Sequence, residues 1–260
     1  MGFLFRPKEL PRPASLTFTL DQAGHTYDDG HVGLAPTDIT ISELRVAVIG
    51  LNGAGKSTLL GLLDGSLKAN AGTVTIAGGE ERLDPAVKKD AKRIDNLVGK
   101  VRREEIPNSF YQAANISEAV SEALKKHKVP ESERHARIGN LFAHFDLAQV
   151  SKAKASELDS EKRHLLAIAA ALSFEPSAIV AEPSKGLDEI GAAHVAKALF
   201  SYNKQVIFAT HDTDMIRRPE YAIDRVLVLD EHAVAFDGAP AEAVAFYEDL
   251  IRRKYEAAKR

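Results

Sequence analysis

The sequence predicts one α/β domain built around a mostly parallel β-sheet, and three observations favour this fold class. Short apolar runs of strand length alternate with segments of helical periodicity, which is the pattern of βαβ units. One apolar run, residues 44–49, leads directly into a glycine-rich sequence of the phosphate-binding type at residues 50–58. The chain has 260 residues, 45% of them hydrophobic, which is enough for one large core.

The N-terminal part reads as short strands around one helix. Residues 15–20 alternate polar and apolar side chains, as a half-buried strand does, and the Asp-Asp-Gly at residues 28–30 is a turn signal. A further strand is expected at residues 72–79, after the helix that follows the glycine-rich loop. Residues 80–108 are highly charged and support no assignment.

The middle of the chain is predicted to be helical. Asn115 and Glu118 have the spacing of a capping box, and the apolar residues behind them fall on one helical face. The apolar positions between Ile138 and Phe145 indicate a second helix, and residues 165–172 indicate a third.

The C-terminal part returns to strands. Residues 178–181, 205–210 and 225–230 are short apolar runs of the kind that form buried strands, and residues 234–236 continue the last of them. A final helix is expected from about Pro240 to the end of the chain.

Composition restricts the class of function. A formal net charge of −3 provides no general electrostatic footprint for nucleic acid, so none is expected as a partner. The chain has no cysteine, which excludes disulfides and thiolate chemistry. No apolar run approaches the length that spans a bilayer, and the N-terminal run is too short for a signal peptide. We therefore expect a cytoplasmic protein that serves a membrane process only by docking onto other chains.

The glycine-rich loop predicts nucleotide binding. Its glycines let successive backbone N–H groups face one anion, and the following helix N-terminus also favours negative charge. Lys56 supplies a cation for the β- and γ-phosphates, and the Ser57 hydroxyl is a candidate Mg²⁺ ligand. A chance match to this motif has odds of roughly one in a hundred. The predicted nucleotide-binding residues of the loop are Gly50, Asn52, Gly53, Ala54, Gly55, Lys56, Ser57 and Thr58.

From about Leu16 to Tyr247, the order of these segments resembles an ATP-binding cassette (ABC) transporter ATPase subunit. The resemblance implies a P-loop NTPase (RecA-like) core with a mostly parallel sheet, an antiparallel β subdomain and an α-helical subdomain. It divides one domain, residues 1–260, into a β subdomain and P-loop core at about 14–105 and a helical subdomain at about 106–173. The core resumes at about 174–239, and residues 240–260 form the C-terminal helix.

Three further residues take roles through this resemblance. Tyr27 lies where the family places an aromatic ring that stacks on adenine. Glu182 opens a segment, residues 182–188, that is similar to the end of the Walker B motif and the D-loop, and it matches the catalytic glutamate. His211 matches the switch-loop histidine that senses the γ-phosphate.

The sequence departs from the family pattern at two other sites. Ala181 stands where the family has an aspartate that holds Mg²⁺ through water, so the metal would depend on Ser57, the phosphates and water. Arg103 is the best match to the Q-loop glutamine, and Gln112 is a displaced alternative.

The signature motif is the most altered part of the pattern. The family uses Leu-Ser-Gly-Gly-Gln at a helix start to reach the partner's γ-phosphate across a dimer interface. Here residues 158–162 read Leu-Asp-Ser-Glu-Lys, so both glycines are gone and Asp159 and Glu161 add negative charge.

The resemblance implies an ATP- and Mg²⁺-dependent ATPase subunit of an importer for a metal ion or vitamin. In residues 60–65, Leu-Gly-Leu-Leu-Asp-Gly, and residues 237–242, Asp-Gly-Ala-Pro-Ala-Glu, the chain most resembles the energy-coupling-factor type, the cobalt, biotin and vitamin importers. Expected partners are a second ABC ATPase subunit, in a heterodimer or a homodimer, and integral-membrane transporter subunits that hold the chain at the inner face of the membrane. The alternative is a subunit that binds ATP, hydrolyses it poorly and acts as a regulator.

Overall fold

The computed structural model describes residues 15–102, 106–183 and 187–259. In these ranges the strands are β1 Thr17–Thr26, β2 Val32–Ile41, β3 Arg45–Gly50, β4 Ala71–Gly78, β5 Glu81–Leu83, β6 Val98–Arg102, β7 Ala178–Glu182, β8 Gln205–Ala209, β9 Arg225–Asp230 and β10 Ala233–Gly238. The helices are α1 Lys56–Leu63, α2 Lys88–Leu97, α3 Asn108–Gln112, α4 Ile116–Lys126, α5 Glu131–His144, α6 Ser160–Leu172, α7 Glu189–Phe200, α8 Thr213–Arg217 and α9 Pro240–Ala258.

A six-stranded sheet with the order β10-β9-β3-β8-β7-β6 forms the centre of the fold. The strands from β9 to β6 are all parallel, and β10 returns antiparallel at the edge. The predicted fold class, a mostly parallel sheet with helices, is therefore confirmed. Because the carboxyl ends of parallel strands lie along one edge, the segments after β9, β3, β8 and β7 come together there.

Strand β3 is buried on both faces, which explains its uninterrupted apolar sequence. Val46 and Val48 belong to a hydrophobic cluster that includes α1 and the second sheet. Ala47 and Ile49, which point to the opposite face, belong to a cluster with the helices of the middle and end of the chain. The glycine-rich loop thus begins at the end of a strand that is packed on each face by a hydrophobic cluster.

The second sheet is antiparallel, with the order β2-β1-β4-β5. Gln205, at the start of β8, is fully buried and links this sheet to the first. Its side chain accepts a hydrogen bond from the amide of Leu16 at 2.9 Å and donates to the carbonyls of Leu16 and Glu43, each at 3.0 Å. This link fixes the beginning of β1 relative to the parallel sheet.

The helical prediction for the middle of the chain holds, and the charged segment before it contains structure that the sequence did not reveal. Asn115 caps α4 by accepting a hydrogen bond from the Glu118 amide at 2.9 Å. Residues 80–108 contain β5, α2 and β6, and α2 escaped assignment because Ile94 is its only buried residue. Without a periodic apolar stripe, a helix of this kind has no sequence signal.

A buried ion pair ties α1 to β6. Asp64, just after α1, is fully buried and pairs with Arg102, the last residue of β6. The Ser66 amide also donates to the Asp64 carboxylate at 2.8 Å. Burial raises the pKa of the Asp64 carboxyl, although Arg102 and Ser66 oppose this shift.

We expect Arg102→Met to lower the free energy of unfolding by about 3–5 kcal/mol near neutral pH, because it leaves a buried carboxylate without its cation. The folded-state pKa of Asp64 lies above its unfolded value, so this loss should shrink as the pH falls through the folded-state pKa. Denaturant unfolding at about pH 7.5 and about pH 5 measures both effects.

Arg93→Met is the matched control, because Arg93 forms a pair with Glu81, whose side chain is 52% exposed. That variant should lose less than about 1 kcal/mol. If Arg102→Met cost no more than the control, or the same at both pH values, the buried pair would not have the importance given to it.

Candidate functional site

A cavity of about 830 Å³ lies at the carboxyl edge of the parallel sheet, around the end of β3. It brings together residues that are far apart in the sequence. The predicted site residues on its wall are Tyr27, Asn52, Gly53, Gly55, Lys56, Ser57, Thr58, Glu182 and His211. Gly50 and Ala54 are not on the wall; they form the base of the loop, and Ala54 is buried.

The glycine-rich loop adopts a backbone that needs glycine at two positions. Gly53 and Gly55 have φ angles of 81° and 101°, in the left-handed region that residues with a Cβ avoid. Gly55 is also the N-cap of α1, so no side chain of this residue caps the first-turn amides. The loop therefore offers its backbone N–H groups and a helix N-terminus to an anion.

Hydrogen bonds to carbonyls of the glycine-rich loop hold the Lys56 side chain in place. Its Nζ donates to the carbonyls of Gly50 and Leu51, each at 2.9 Å, and the residue is only 9% exposed. A positive charge is thus positioned beside the anion-binding backbone, as the sequence predicts.

The hairpin of β1 and β2 packs against the first turn of α1. The hydroxyl of Tyr27 lies 3.0 Å from Oγ1 of Thr58. Gly33 permits this contact, because a Cβ there would lie 2.4 Å from the Tyr27 ring and 2.8 Å from Thr58 Oγ1. The ring of Tyr27 lies on the cavity wall, where the sequence places an adenine-stacking residue, and one face of it stacks on His31 at 4.4 Å.

Glu182 ends β7 with a carboxylate that has little contact with solvent. The residue is 5% exposed, and its Oε1 atom is buried with no hydrogen-bond partner among the described residues. Leaving a buried acceptor unpaired costs free energy, so folding stability does not explain a carboxylate at this position. Ala181, just before it, is fully buried between Val101 and Phe208 of the neighbouring strands and contributes nothing to the cavity wall.

His211 follows β8 and lies on the wall of the same cavity. The turn that carries it is well ordered by hydrogen bonds: the Asp212 amide donates to Thr210 Oγ1 at 3.0 Å, and the Asp212 side chain caps α8 by accepting from the Met215 amide at 3.0 Å. Glu182 and His211 thus follow adjacent strands on one side of the glycine-rich loop.

Sequence reasoning missed several residues of the wall. His31, Asp214, Arg218 and His232 line the cavity, although no motif in the sequence singles them out. Asp188 also lines it, and its position in the D-loop-like segment was a signal that the sequence analysis did not use.

The described residues provide few candidate ligands for the predicted Mg²⁺ ion. In the described ranges there is no group of three or more His, Cys, Asp or Glu residues that could hold a metal ion. The exposed Ser57 hydroxyl on the cavity wall is a suitable oxygen ligand for Mg²⁺ when phosphate oxygens and water complete the shell.

The structure describes only one of the two candidates for the Q-loop glutamine position. Arg103 lies outside the described residues. Gln112 is exposed at the end of the short helix α3 and is not on the cavity wall.

The signature-like segment caps the N-terminus of its own helix, α6. Asp159 caps α6 by accepting a hydrogen bond from the Lys162 amide at 2.7 Å, and this bond lowers the pKa of the Asp159 carboxyl. Glu161 pairs with His194 of α7, and Arg163 donates to the carbonyl of Leu158 at 2.6 Å. An anion therefore already sits at the N-terminus of α6.

Comparisons with known proteins identify relatives of this chain. The sequence profile described as ABC transporter matches residues 37–184. A Deinococcus radiodurans protein named as an ABC transporter ATP-binding protein is 33% identical over 89% of this chain and 97% of its own length. The energy-coupling factor transporter ATP-binding protein EcfA2 of Clostridium perfringens is 28% identical over 90% of this chain and 81% of its own length. CbiO1 from Clostridium perfringens, a part of the ABC transporter complex CbiONQ, superposes with a TM-score of 0.74 at 28% identity, over 92% of this chain and 94% of that one.

We expect Gly33→Ala to weaken nucleotide binding about tenfold, because the added methyl group pushes the Tyr27 ring and Thr58 apart. Titration with a fluorescent ATP analogue measures the effect. Gly139→Ala in α5 is the control, since its Cβ would meet nothing within 4 Å, and it should bind nucleotide normally. Equal affinity of both variants would contradict the packing described for the hairpin.

Proposed function

Because the chain belongs to the ABC transporter ATP-binding family, we propose that it is the ATPase subunit of a membrane importer of the energy-coupling-factor type. The observation that carries this proposal is the single cavity that joins Lys56, Glu182 and His211 at the ends of three adjacent parallel strands. ATP and ADP are the nucleotides of the family, and the cavity is large enough for either.

The phosphates bind at the glycine-rich loop. The backbone amides and the first turn of α1 hold the phosphate oxygens, and Lys56 moves its ammonium from the loop carbonyls to the β- and γ-phosphates. Ser57 would hold Mg²⁺ through its hydroxyl, and the bound ion would neutralise charge on the transferred phosphoryl group. Since Ala181 replaces the aspartate of the family pattern, the chain has one fewer anchor for the metal.

Glu182 and His211 act at the γ-phosphate end. The Glu182 carboxylate, on the cavity wall, accepts a hydrogen bond from the attacking water and holds it in line with the leaving oxygen. His211, on the neighbouring strand end, contacts the γ-phosphate and responds to its loss. Tyr27, on the cavity wall, stacks on adenine through its ring.

In a dimer, the signature segment of this chain contributes poorly to the active site that holds ATP on the partner. In the family, the signature segment binds the γ-phosphate held by the other protomer, but here Asp159 occupies the N-terminus of α6. Two unit charges about 4 Å apart at an effective dielectric near 20 repel by about 4 kcal/mol. We therefore infer a heterodimer in which an ordinary ABC partner supplies the signature to this chain's Walker side.

The membrane part of the importer is provided by other chains. No helix in the described ranges is long and apolar enough to cross a bilayer. EcfA2 is named as a transporter ATP-binding protein and CbiO1 as part of a transporter complex. Both names support membrane subunits as partners that hold the chain at the cytoplasmic face. A metal ion or a vitamin is the substrate class that we assign to the importer.

A second candidate is an ATP-binding regulatory subunit with little hydrolysis. Ala181 and the self-capped α6 favour it, whereas the buried carboxylate of Glu182 beside His211 favours hydrolysis. Tight ATP binding with background phosphate release, with every ABC partner tested, would decide for the regulatory subunit.

We expect slow ATP hydrolysis by the purified chain alone and a large increase when an ABC partner with an intact signature is added. Glu182→Gln should reduce the rate of the mixture by about a hundredfold or more, because the amide cannot accept the proton of the attacking water. Phosphate release measures both. Fast hydrolysis by the chain alone, abolished by Glu182→Gln, would refute the requirement for a partner's signature.

Restoring the signature should activate the chain on its own. We expect the combined substitutions Asp159→Ser, Ser160→Gly, Glu161→Gly and Lys162→Gln to raise ATPase activity at least about tenfold, since they remove the resident carboxylate from α6. The same change in a Glu182→Gln background is the control and should stay inactive. A folded, ATP-binding variant with no gain would show that α6 does not limit hydrolysis.

A further inference from the structure

The turn between β9 and β10 holds an unfavourable backbone conformation. Asp230 pairs with Ala233 across the hairpin, so Glu231 and His232 form a two-residue loop. Both have positive φ angles, 46° and 67°. This is the geometry of a type I′ turn, which favours Asn-Gly or Gly-Gly, so glutamate and histidine are costly residues here.

His232 also carries an unsatisfied polar atom. Its Nδ1 is buried with no hydrogen-bond partner among the described residues. A strained backbone and an unpaired buried nitrogen both lower stability. The stability of the fold therefore does not explain why histidine occupies this position.

The turn places His232 on the wall of the nucleotide cavity. Its Cα lies 3.5 Å from the position that a Cβ would take at Gly55, beside the glycine-rich loop. Its carbonyl accepts a hydrogen bond from the Ala35 amide at 2.7 Å, which ties the turn to β2. Lys254 of α9 pairs with Asp230 and Glu231 and holds the turn from the other side.

Strand order tells which end of the nucleotide His232 faces. In the sequence β9-β3-β8-β7, the glycine-rich loop leaves β3. Glu182 and His211, at the γ-phosphate end, follow β7 and β8 on one side of it. His232 follows β9 on the opposite side, which is also the side tied to the β1–β2 sheet that carries Tyr27.

We propose that His232 contacts the nucleoside part, ribose and base, of the bound nucleoside triphosphate, from the side of the glycine-rich loop opposite Glu182 and His211. This inference rests on the proposed function of the cavity. An imidazole has one ring nitrogen that donates and one that accepts, and its face stacks on bases, so it suits ribose hydroxyls and a purine alike.

The test is His232→Gly, a substitution that improves the turn. Glycine relieves the positive φ and removes the unpaired nitrogen, so the melting temperature should stay the same or rise. ATP affinity should nevertheless fall about five- to twentyfold, because a nucleotide contact is lost. Affinity for inorganic tripolyphosphate, which has no nucleoside, should not change. Calorimetric titration of both ligands gives these values.

His135→Ala, an exposed histidine of α5, is the matched control and should change neither affinity. Normal ATP binding by a folded His232→Gly variant overturns the inference alone. An equal loss for tripolyphosphate also overturns it, since the contact would then be to phosphate. A wild-type chain that binds tripolyphosphate but not ATP overturns it together with the proposed function.

Discussion

The nucleotide cavity depends on a close approach of backbone between β2 and the glycine-rich loop. A Cβ at Gly55 would lie 2.6 Å from the carbonyl oxygen of Gly33, so Gly55 leaves no room for a side chain. This approach brings the antiparallel sheet onto the first turn of α1, where Tyr27 meets Thr58. Without it the loop would still leave β3 at the edge of the sheet, but the nucleoside end of the cavity would have no wall.

The parallel sheet places two groups of cavity residues on opposite sides of the glycine-rich loop. Strands β8 and β7 place His211 and Glu182 on one side of the loop, which the proposed function assigns to the γ-phosphate. Strand β9 and the docked hairpin place His232 and Tyr27 on the other side. In the proposed function, strand order thus separates the residues of hydrolysis from those that face the nucleoside.

Charges that look disruptive in the sequence are paired within the chain. Asp64 is fully buried but meets Arg102, and Asp159 accepts the amide of its own helix. Glu161 turns to His194. Each pairing makes the charge compatible with folding, but at α6 it also places a resident anion where the family binds a partner's phosphate. This is why loss of the signature function need not destabilise the fold.

The sequence by itself determined the fold class, the glycine-rich loop after β3 and the positions of Glu182 and His211 at strand ends. These features depend on local patterns: apolar strands, glycine spacing and short motifs after strands. Only the tertiary structure decided the surroundings of these residues. The polar helix α2 has too few buried residues for a periodic signal, and the pairing of Asp64 with Arg102 joins positions 38 residues apart. His232 has no motif around it and reaches the cavity only because β9 lies beside β3, a long-range contact that no local pattern encodes.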